Sequence, residues 1–345
     1  MTDTLAPVPP ARPRSRDLVL VWGPPSYGPR SRILARELDL DIRFVHVTVR
    51  RGLLVAPYKY TVQALATFRC LARQRPRTVL VQSPPSLAVL VLYLWSLATG
   101  GTYVVDAHSD AMETSYWTRP KWLHRQLARR AAATVVTNQH FADRIRSWGA
   151  RALVIRDVPT TFEVGAPWPS DGDFRIALVS SFAPDEPLEE LLSAAASLPD
   201  VRFYVTGSLR RAPGGLVDAA PPNVTFTDYL ADERYYALLS SSDAVMCLTT
   251  RDHTMQRGAC EALSLGTPII TSRWPLLEDY FHSGTVHVDN DAASIRAGVC
   301  ELRAHVEHYR EGIAALRVEQ LEEWRAGSAS LRSLLLGTRG PSSRG

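Results

Sequence analysis

The chain has 345 residues, more than a single hydrophobic core usually organises, so two domains are expected. Hydrophobic residues make up 46% and charged residues 21%, the composition of a globular protein and not of a fibrous or disordered one. The net charge of +4 hides an asymmetry: residues 1–165 hold 23 Lys/Arg against 11 Asp/Glu, and the remainder 16 against 24.

A basic half joined to an acidic half points to an anionic acceptor or membrane surface for the first, with an arginine-rich lineage bias as the plain alternative. Cys70, Cys247, Cys260 and Cys300 lie far apart, with no CxxC and no tight Cys/His group. That pattern argues for a reducing, cytoplasmic setting and against a zinc centre or a disulfide framework. Residues 1–16 are rich in Pro and Arg without an apolar run, and read as a disordered leader, not a secretory signal. The most apolar run, Leu87–Ala98, is 12 residues long, whereas a helix needs about 20 to span a bilayer.

From residue 17 onward, short β-rich runs alternate with helical stretches. Strands are expected at Leu18–Trp22, Ile42–His46, Val79–Gln82, Tyr103–Asp106 and Thr134–Thr137. Helices are expected near Ser31–Leu38, Tyr58–Gln74, Leu87–Thr99, Trp122–Ala132 and His140–Trp148. Such alternation predicts an α/β domain over 17–157, a parallel sheet with helices on both faces. Residues 158–173 hold Pro159, Gly165, Pro167, Pro169 and Gly172 with little apolar periodicity, which predicts an interdomain linker. The alternation restarts at Arg175–Val179 and continues through Val201–Val205, Val224–Phe226, Ala244–Leu248, Pro268–Ile270 and Val286–Val288. A second domain over 174–330 is expected, with 331–345 as a flexible tail. Two doubly wound, Rossmann-like domains in tandem imply a ligand cleft facing the carboxyl ends of two parallel sheets.

In the second half, Cys260-Glu261-Ala262-Leu263-Ser264-Leu265-Gly266-Thr267-Pro268-Ile269-Ile270 reads as a helix capped by Gly266, a turn and a buried strand. A carboxylate one turn inside such a helix, at Glu261, can accept hydrogen bonds from ribose hydroxyls. Backbone amides in the turns, Gly266 and Thr267 among them, and at helix starts can hold a diphosphate without a metal.

This segment resembles the donor-binding signature of GT-B glycosyltransferases in the family 4 group, in which a Glu is followed by a small-Gly-Thr-Pro turn. The resemblance implies a GT-B fold, a nucleotide-sugar donor and a ribose contact by Glu261. The family pattern of a Glu, seven residues and a second Glu puts the first on His253, where this sequence departs from it. His253 can hydrogen-bond sugar hydroxyls, with Asp252 beside it taking the acid role; a solvent-exposed loop histidine is the alternative. The family also places an Arg just after the first strand of this domain and a Lys about five residues later, both on the donor diphosphate. Val179-Ser-Ser-Phe-Ala-Pro-Asp-Glu-Pro187 holds neither cation. The diphosphate must then be met by Arg210, Arg211, Arg251, Arg257 or Arg273, with Arg210 and Arg211, at a strand-to-loop junction, the first choice.

In the first half, Val81-Gln82-Ser83-Pro84-Pro85-Ser86-Leu87 and Val104-Val105-Asp106-Ala107-His108-Ser109 sit at consecutive strand ends. With Tyr27-Gly28-Pro29-Arg30-Ser31, they resemble the acceptor domain of the dolichol-linked chitobiose β-mannosyltransferases and their bacterial relatives. That resemblance implies an acceptor site near Arg30, Pro84 and His108. At a strand's carboxyl end, His108 or Asp106 can deprotonate an acceptor hydroxyl or contact the transferred sugar, with Asp106 orienting His108. A histidine satisfied in the core is the alternative. Arg30 and Arg32 can meet a phosphate on a lipid-linked acceptor or form a solvated helix face.

The expectation is a cytoplasmic, metal-independent glycosyltransferase without a cofactor. It would use a UDP-, GDP- or dTDP-sugar and a glycan or lipid-linked acceptor, dock on an anionic membrane and bind no nucleic acid. The rival is a catalytically inactive GT-B protein serving as a binding or scaffold subunit, for which His253 and the missing Arg/Lys pair speak; an epimerase of the same fold is a third reading. Asp171-Gly-Asp173 and Asp289-Asn-Asp291 mimic a metal-binding DxD, but neither is expected to follow a strand that presents a metal. The Pro pair in Gly23–Gly28 rules out a dinucleotide fingerprint.

Overall fold

Runs of branched apolar residues form the inner strands, because a parallel sheet is covered on both faces and leaves no polar side. The computed structural model describes residues 17–25, 29–47, 55–113, 119–157, 159–169 and 173–337. The chain divides into two units: unit 1 runs to Arg156 and resumes at Ala326, and unit 2 is Asp157–Arg325.

Unit 1 runs β1 (Leu18–Val21), α1 (Pro29–Leu38), β2 (Asp41–Phe44), α2 (Val55–Gln74), β3 (Thr78–Ser83) and α3 (Ser86–Thr99). It continues with β4 (Thr102–Ala107), α4 (Ser109–Glu113), α5 (Lys121–Arg130), β5 (Thr134–Val136), α6 (Gln139–Ser147) and β6 (Ala152–Val154). The sheet order is β2-β1-β3-β4-β5-β6, every pair parallel. All six residues of β3 are buried, and α3 lays Ala88, Val89, Leu92 and Trp95 into the same core. The order reverses between β1 and β3, which opens a crevice at their carboxyl ends.

Unit 2 runs β7 (Phe174–Leu178), α7 (Leu188–Ala196), β8 (Val201–Thr206), a 3-10 turn at Leu209–Arg211, β9 (Val224–Asp228) and α8 (Asp232–Ser240). Then come β10 (Ala244–Cys247), α9 (Arg257–Leu265), β11 (Ile269–Ser272), α10 (Pro275–Tyr280), β12 (Thr285–Val288), α11 (Ala292–Ala304) and α12 (Val306–Gly337). Its sheet order is β12-β11-β10-β7-β8-β9, again parallel throughout, with the reversal between β7 and β10.

Besides β6, which the sequence reading did not include, two segments differ from that reading. Residues 159–169, a linker by composition, pack onto unit 2. Phe162 stacks on Tyr236 with ring centroids 4.0 Å apart, Trp168 meets Tyr204 edge-on, and the Gly165 amide donates to the Glu233 carbonyl. Proline and glycine mark the irregular backbone, but the aromatic residues between them anchor it.

The flexible tail assigned to 331–345 is instead helical as far as Gly337. Leu331 and Leu335, one helical turn apart, are buried in the stretch of α12 that belongs to unit 1. Arg332 on the same stretch donates to the Glu37 carbonyl of α1. The boundary at 330 accordingly moves to Ala326, where the chain re-enters unit 1; residues 338–345 lie outside the described residues. The Leu331→Ala variant is expected to lose about 2–5 kcal/mol, read as a lower urea midpoint. An unchanged midpoint would show that the end of α12 adds nothing to the core of unit 1.

Candidate functional site

In unit 2, α9 follows β10 and lies unusually close to the sheet. A Cβ at Gly258 would stand 2.7 Å from Cys247 Sγ and 2.8 Å from Val179 Cβ, so only glycine permits this approach. One turn on, Glu261 is buried with both oxygens engaged. Oε2 accepts from the Tyr235 hydroxyl at 2.7 Å, and Oε1 accepts from Arg257 Nε at 2.7 Å, a pairing of residues four apart on one helix. Burial and the Glu261 charge drive the Tyr235 phenol well above its usual pKa, so it stays a neutral donor. The same two causes push Tyr236 up to about 12. Neither tyrosine carries a motif signal; their only mark in the sequence is a pair of adjacent aromatic residues on a helix.

The amides of Gly266 and Thr267, expected in the donor site, are both taken by the closure of α9. Gly266, with φ 77°, is the left-handed cap of α9, and its amide donates to the Leu263 carbonyl. The Thr267 amide closes onto the Ala262 carbonyl, and its hydroxyl donates to the Leu239 carbonyl. A helix's carboxyl end also carries negative partial charge, which disfavours an anion.

The loops after β7 and β10 flank the strand-order reversal. After β7, the Glu186 carboxylate accepts from the amides of Ser181 at 2.9 Å and Phe182 at 3.0 Å, and from both the Ser180 and Ser181 hydroxyls. Phe182 adopts a left-handed φ of 55° that turns its amide toward the carboxylate. Where the family resemblance implies cations, this chain holds an anion in a ring of donors. After β10, Thr249 is locked in place: its hydroxyl donates to Asp185 at 2.7 Å, and its carbonyl accepts from Trp274 and Asn290. His253 also has a left-handed φ, of 57°, and its Nε2 lies 3.3 Å from Asp252 Oδ2.

The expected cations divide into two groups. Arg210 and Arg211 stand exposed on the turn after β8, where the Arg210 charge acts on Asp228 at the end of β9. Arg273 is tied to Glu278, Asp289 and the His287 carbonyl, and Arg257 to Glu261. Asp289 does directly follow β12, contrary to expectation, yet Asp291 is occupied as the cap of α11, accepting from the Ser294 amide at 2.8 Å. Asp173 of the other pseudo-motif pairs with Arg202. Among the described residues, no group of three or more His, Cys, Asp or Glu is placed to hold a metal ion.

In unit 1, β4 ends in the expected pair. Asp106, almost wholly buried, accepts from Arg30 Nε at 3.2 Å on Oδ1 and sits 3.2 Å from His108 Nε2 on Oδ2. Burial alone would raise its pKa; the Arg30 charge, then the contacts with His108, reverse this and bring it to about 2. Arg30 is not displayed to a phosphate: its Nη2 donates to the Ile155 carbonyl at 2.7 Å, and its side chain is 11% exposed. Arg32 folds back on the Pro25 carbonyl and the Phe44 ring. Pro84 follows β3, whose Ser83 carbonyl accepts from the His108 amide at 2.9 Å; Tyr27 and Gly28 lie outside the described residues.

Two six-stranded parallel sheets with flanking helices define a GT-B fold, the class to which structural comparison also assigns the chain. Residues 12–161 match the family described as glycosyl transferase 4-like domain and residues 185–326 the family described as glycosyl transferase-like, and the chain belongs to the GT-B glycosyltransferases of the family 4 group. Sucrose-phosphate synthase from Thermosynechococcus elongatus superposes with a TM-score of 0.70 at 15% identity, over 93% of this chain and 98% of that one. Anabaena HepE in complex with UDP gives 0.66 at 13% identity, over 93% and 99%. S. aureus MnaA bound to UDP gives 0.64 at 11% identity, over 95% and 98%. No curated protein matches the sequence.

The Asp106 pair sets a pH dependence. Its folded pKa lies below the unfolded value, so its contribution is complete above about pH 4 and is lost as pH falls toward about 2. Asp106→Asn is expected to cost roughly 2 kcal/mol at neutral pH, with the deficit shrinking across that acid window. Urea midpoints of both proteins against pH check this, and a deficit that does not change with pH would refute the ionised pair.

Proposed function

We propose that the protein transfers a sugar from a nucleotide-sugar to a glycan or polyprenyl-phosphate-linked acceptor. Unit 2 would bind the donor and unit 1 would supply the base. The observation that carries this is Glu261, a buried carboxylate held by Tyr235 and Arg257 inside the segment that matches the glycosyl transferase-like family. Each of its oxygens retains a lone pair for a ribose hydroxyl, and the two partners fix its rotamer before ligand arrives. Arg210 and Arg211 would meet the diphosphate, since both are exposed on the turn after β8. HepE and MnaA are bound to UDP, which favours UDP over GDP or dTDP as the nucleotide here.

For the acceptor, ionised Asp106 selects the tautomer of His108 with hydrogen on Nε2, leaving the Nδ1 lone pair free. Nδ1 would take the proton of the acceptor hydroxyl as its oxygen bonds to the anomeric carbon and the bond to the diphosphate oxygen breaks. Asp106 would stabilise the imidazolium that forms, and Arg30 would act as a positioning residue behind it. Asp252 and His253 would hydrogen-bond the transferred sugar. The chemistry would proceed without a metal, the leaving diphosphate being met by arginines. The basic first half fits a cytoplasmic enzyme working at the inner membrane face on an anionic acceptor.

A second reading, a nucleotide-free binding or scaffold subunit, is favoured by Glu186. It places negative charge where the family resemblance implies Arg and Lys. Thermal shift with UDP, GDP and dTDP separates the two, since a ligand of the folded state raises its stability. UDP is expected to raise the melting temperature. Glu261→Gln should weaken that binding by about tenfold, as loss of a charge-assisted hydrogen bond costs at least about 1.5 kcal/mol. No shift with any nucleotide would favour the scaffold reading, and equal binding by the variant would remove Glu261 from the site.

Release of UDP from UDP-sugars is expected to survive EDTA. Loss of turnover on chelation, restored by Mn²⁺ or Mg²⁺, would overturn the metal-free mechanism.

A further inference from the structure

One face of unit 1 is apolar and cationic at once. α2, α3 and α5 lie side by side over the sheet. The outward stripe of α2 carries Tyr58, Leu65 and Phe68, that of α3 Leu87, Leu94 and Leu97, and α5 adds Trp122. These seven side chains are 37–70% exposed, at positions where a surface helix normally presents polar groups. Two polar residues of α2 face inward, Gln63 donating to the Val45 carbonyl and Thr67 accepting from the Trp22 indole. Leu71 is buried on the same side and Tyr60 stacks on Trp22, while Tyr58, Leu65 and Phe68 stay exposed.

The charges on the same helices have one sign. α2 holds Lys59, Arg69 and Arg73, and α5 holds Lys121, Arg125, Arg129 and Arg130; neither carries an acidic residue, and α3 carries no charge at all. Exposed apolar side chains gathered on neighbouring helices mark an interaction site, and the exclusively basic charge of those helices favours an anionic occupant. A second copy of this chain fits poorly, because a twofold contact would bring two cationic faces together. No described helix is long and apolar enough to cross a membrane, so the face would lie on a bilayer and not pass through it.

We infer that the α2–α3–α5 face docks the protein on an anionic lipid bilayer. Its leucines and aromatic rings enter the boundary between headgroups and acyl chains, and its Lys and Arg residues meet the lipid phosphates. This rests on the membrane part of the proposed function and adds the surface and the mode of contact, insertion as well as charge. Two contributions of this kind are needed together, since either alone gives only transient attachment.

The test is co-sedimentation of the full chain with vesicles of phosphatidylglycerol and phosphatidylcholine in equal parts, at low and high salt, alongside the triple variant Leu65→Ser, Leu94→Ser, Trp122→Ala. The substituted residues are exposed, so the variant should melt as the parent does. The parent is expected to bind at low salt and to keep a residual bound fraction at high salt, because screening weakens charge but not apolar burial. The variant is expected to lose about tenfold or more in partition and all of the high-salt fraction. Equal binding by parent and variant would refute this face while leaving membrane association intact. Absence of parent binding at low salt would refute both. A dimer by light scattering that the variant converts to monomer would reassign the face to self-association.

Discussion

Every strand in both sheets runs parallel to its neighbours, and the rest of the molecule depends on that constraint. A parallel chain must cross a sheet face between strands, so each strand's carboxyl end opens on the same edge. In unit 1 that edge gathers Ser83 and the Asp106–His108 pair; in unit 2 it gathers the loops carrying Glu186, Thr249 and His253. The helix that follows each loop is fixed by the same crossing, which is why Glu261 on α9 lies next to the loop after β10. Gly258 sharpens this by letting α9 approach within the radius of a side chain.

Both candidate centres are built around a buried carboxylate, and each resolves the cost of burial differently. Asp106 is kept ionised by Arg30 and His108, and its neighbours are themselves anchored to backbone carbonyls of β3 and the segment after β6. Glu261 combines one cation with one neutral phenol. A carboxylate deprived of its partners in such a setting would be strongly unfavourable. These clusters are therefore rigid, which is the property a site for positioned hydroxyl groups requires.

The loop after β7 shows how one local change redistributes charge. With no arginine or lysine there, the ring of Ser180, Ser181 and Phe182 donors is filled by the chain's own Glu186. Backbone amides in a turn of this kind attract any anion, and a carboxylate six residues away in sequence is always at hand. Exposed cations of unit 2 stand instead one strand over, at Arg210 and Arg211 after β8.

The amino-acid sequence by itself determined the alternation of strands and helices, because short, mainly apolar β-rich runs separated by helical periods permit little but doubly wound sheets. It also put Asp106 and His108 at a strand's end and Glu261 one turn inside a helix, positions that local geometry alone locates. It did not reveal that Arg30 turns inward to Asp106, that Tyr235 holds Glu261, or that Glu186 fills the β7 loop, because these partners come from other elements or a loop without a regular period. Composition likewise misassigned 159–169 and the end of α12. Proline, glycine and terminal position say where regular structure weakens, whereas Phe162, Trp168, Leu331 and Leu335 are ordered by surfaces supplied from distant parts of the chain. The amides of Gly266 and Thr267 were legible as a turn, but only the fold decided their role. Helix closure claims those donors, and the negative end of α9 leaves no favourable place for a phosphate.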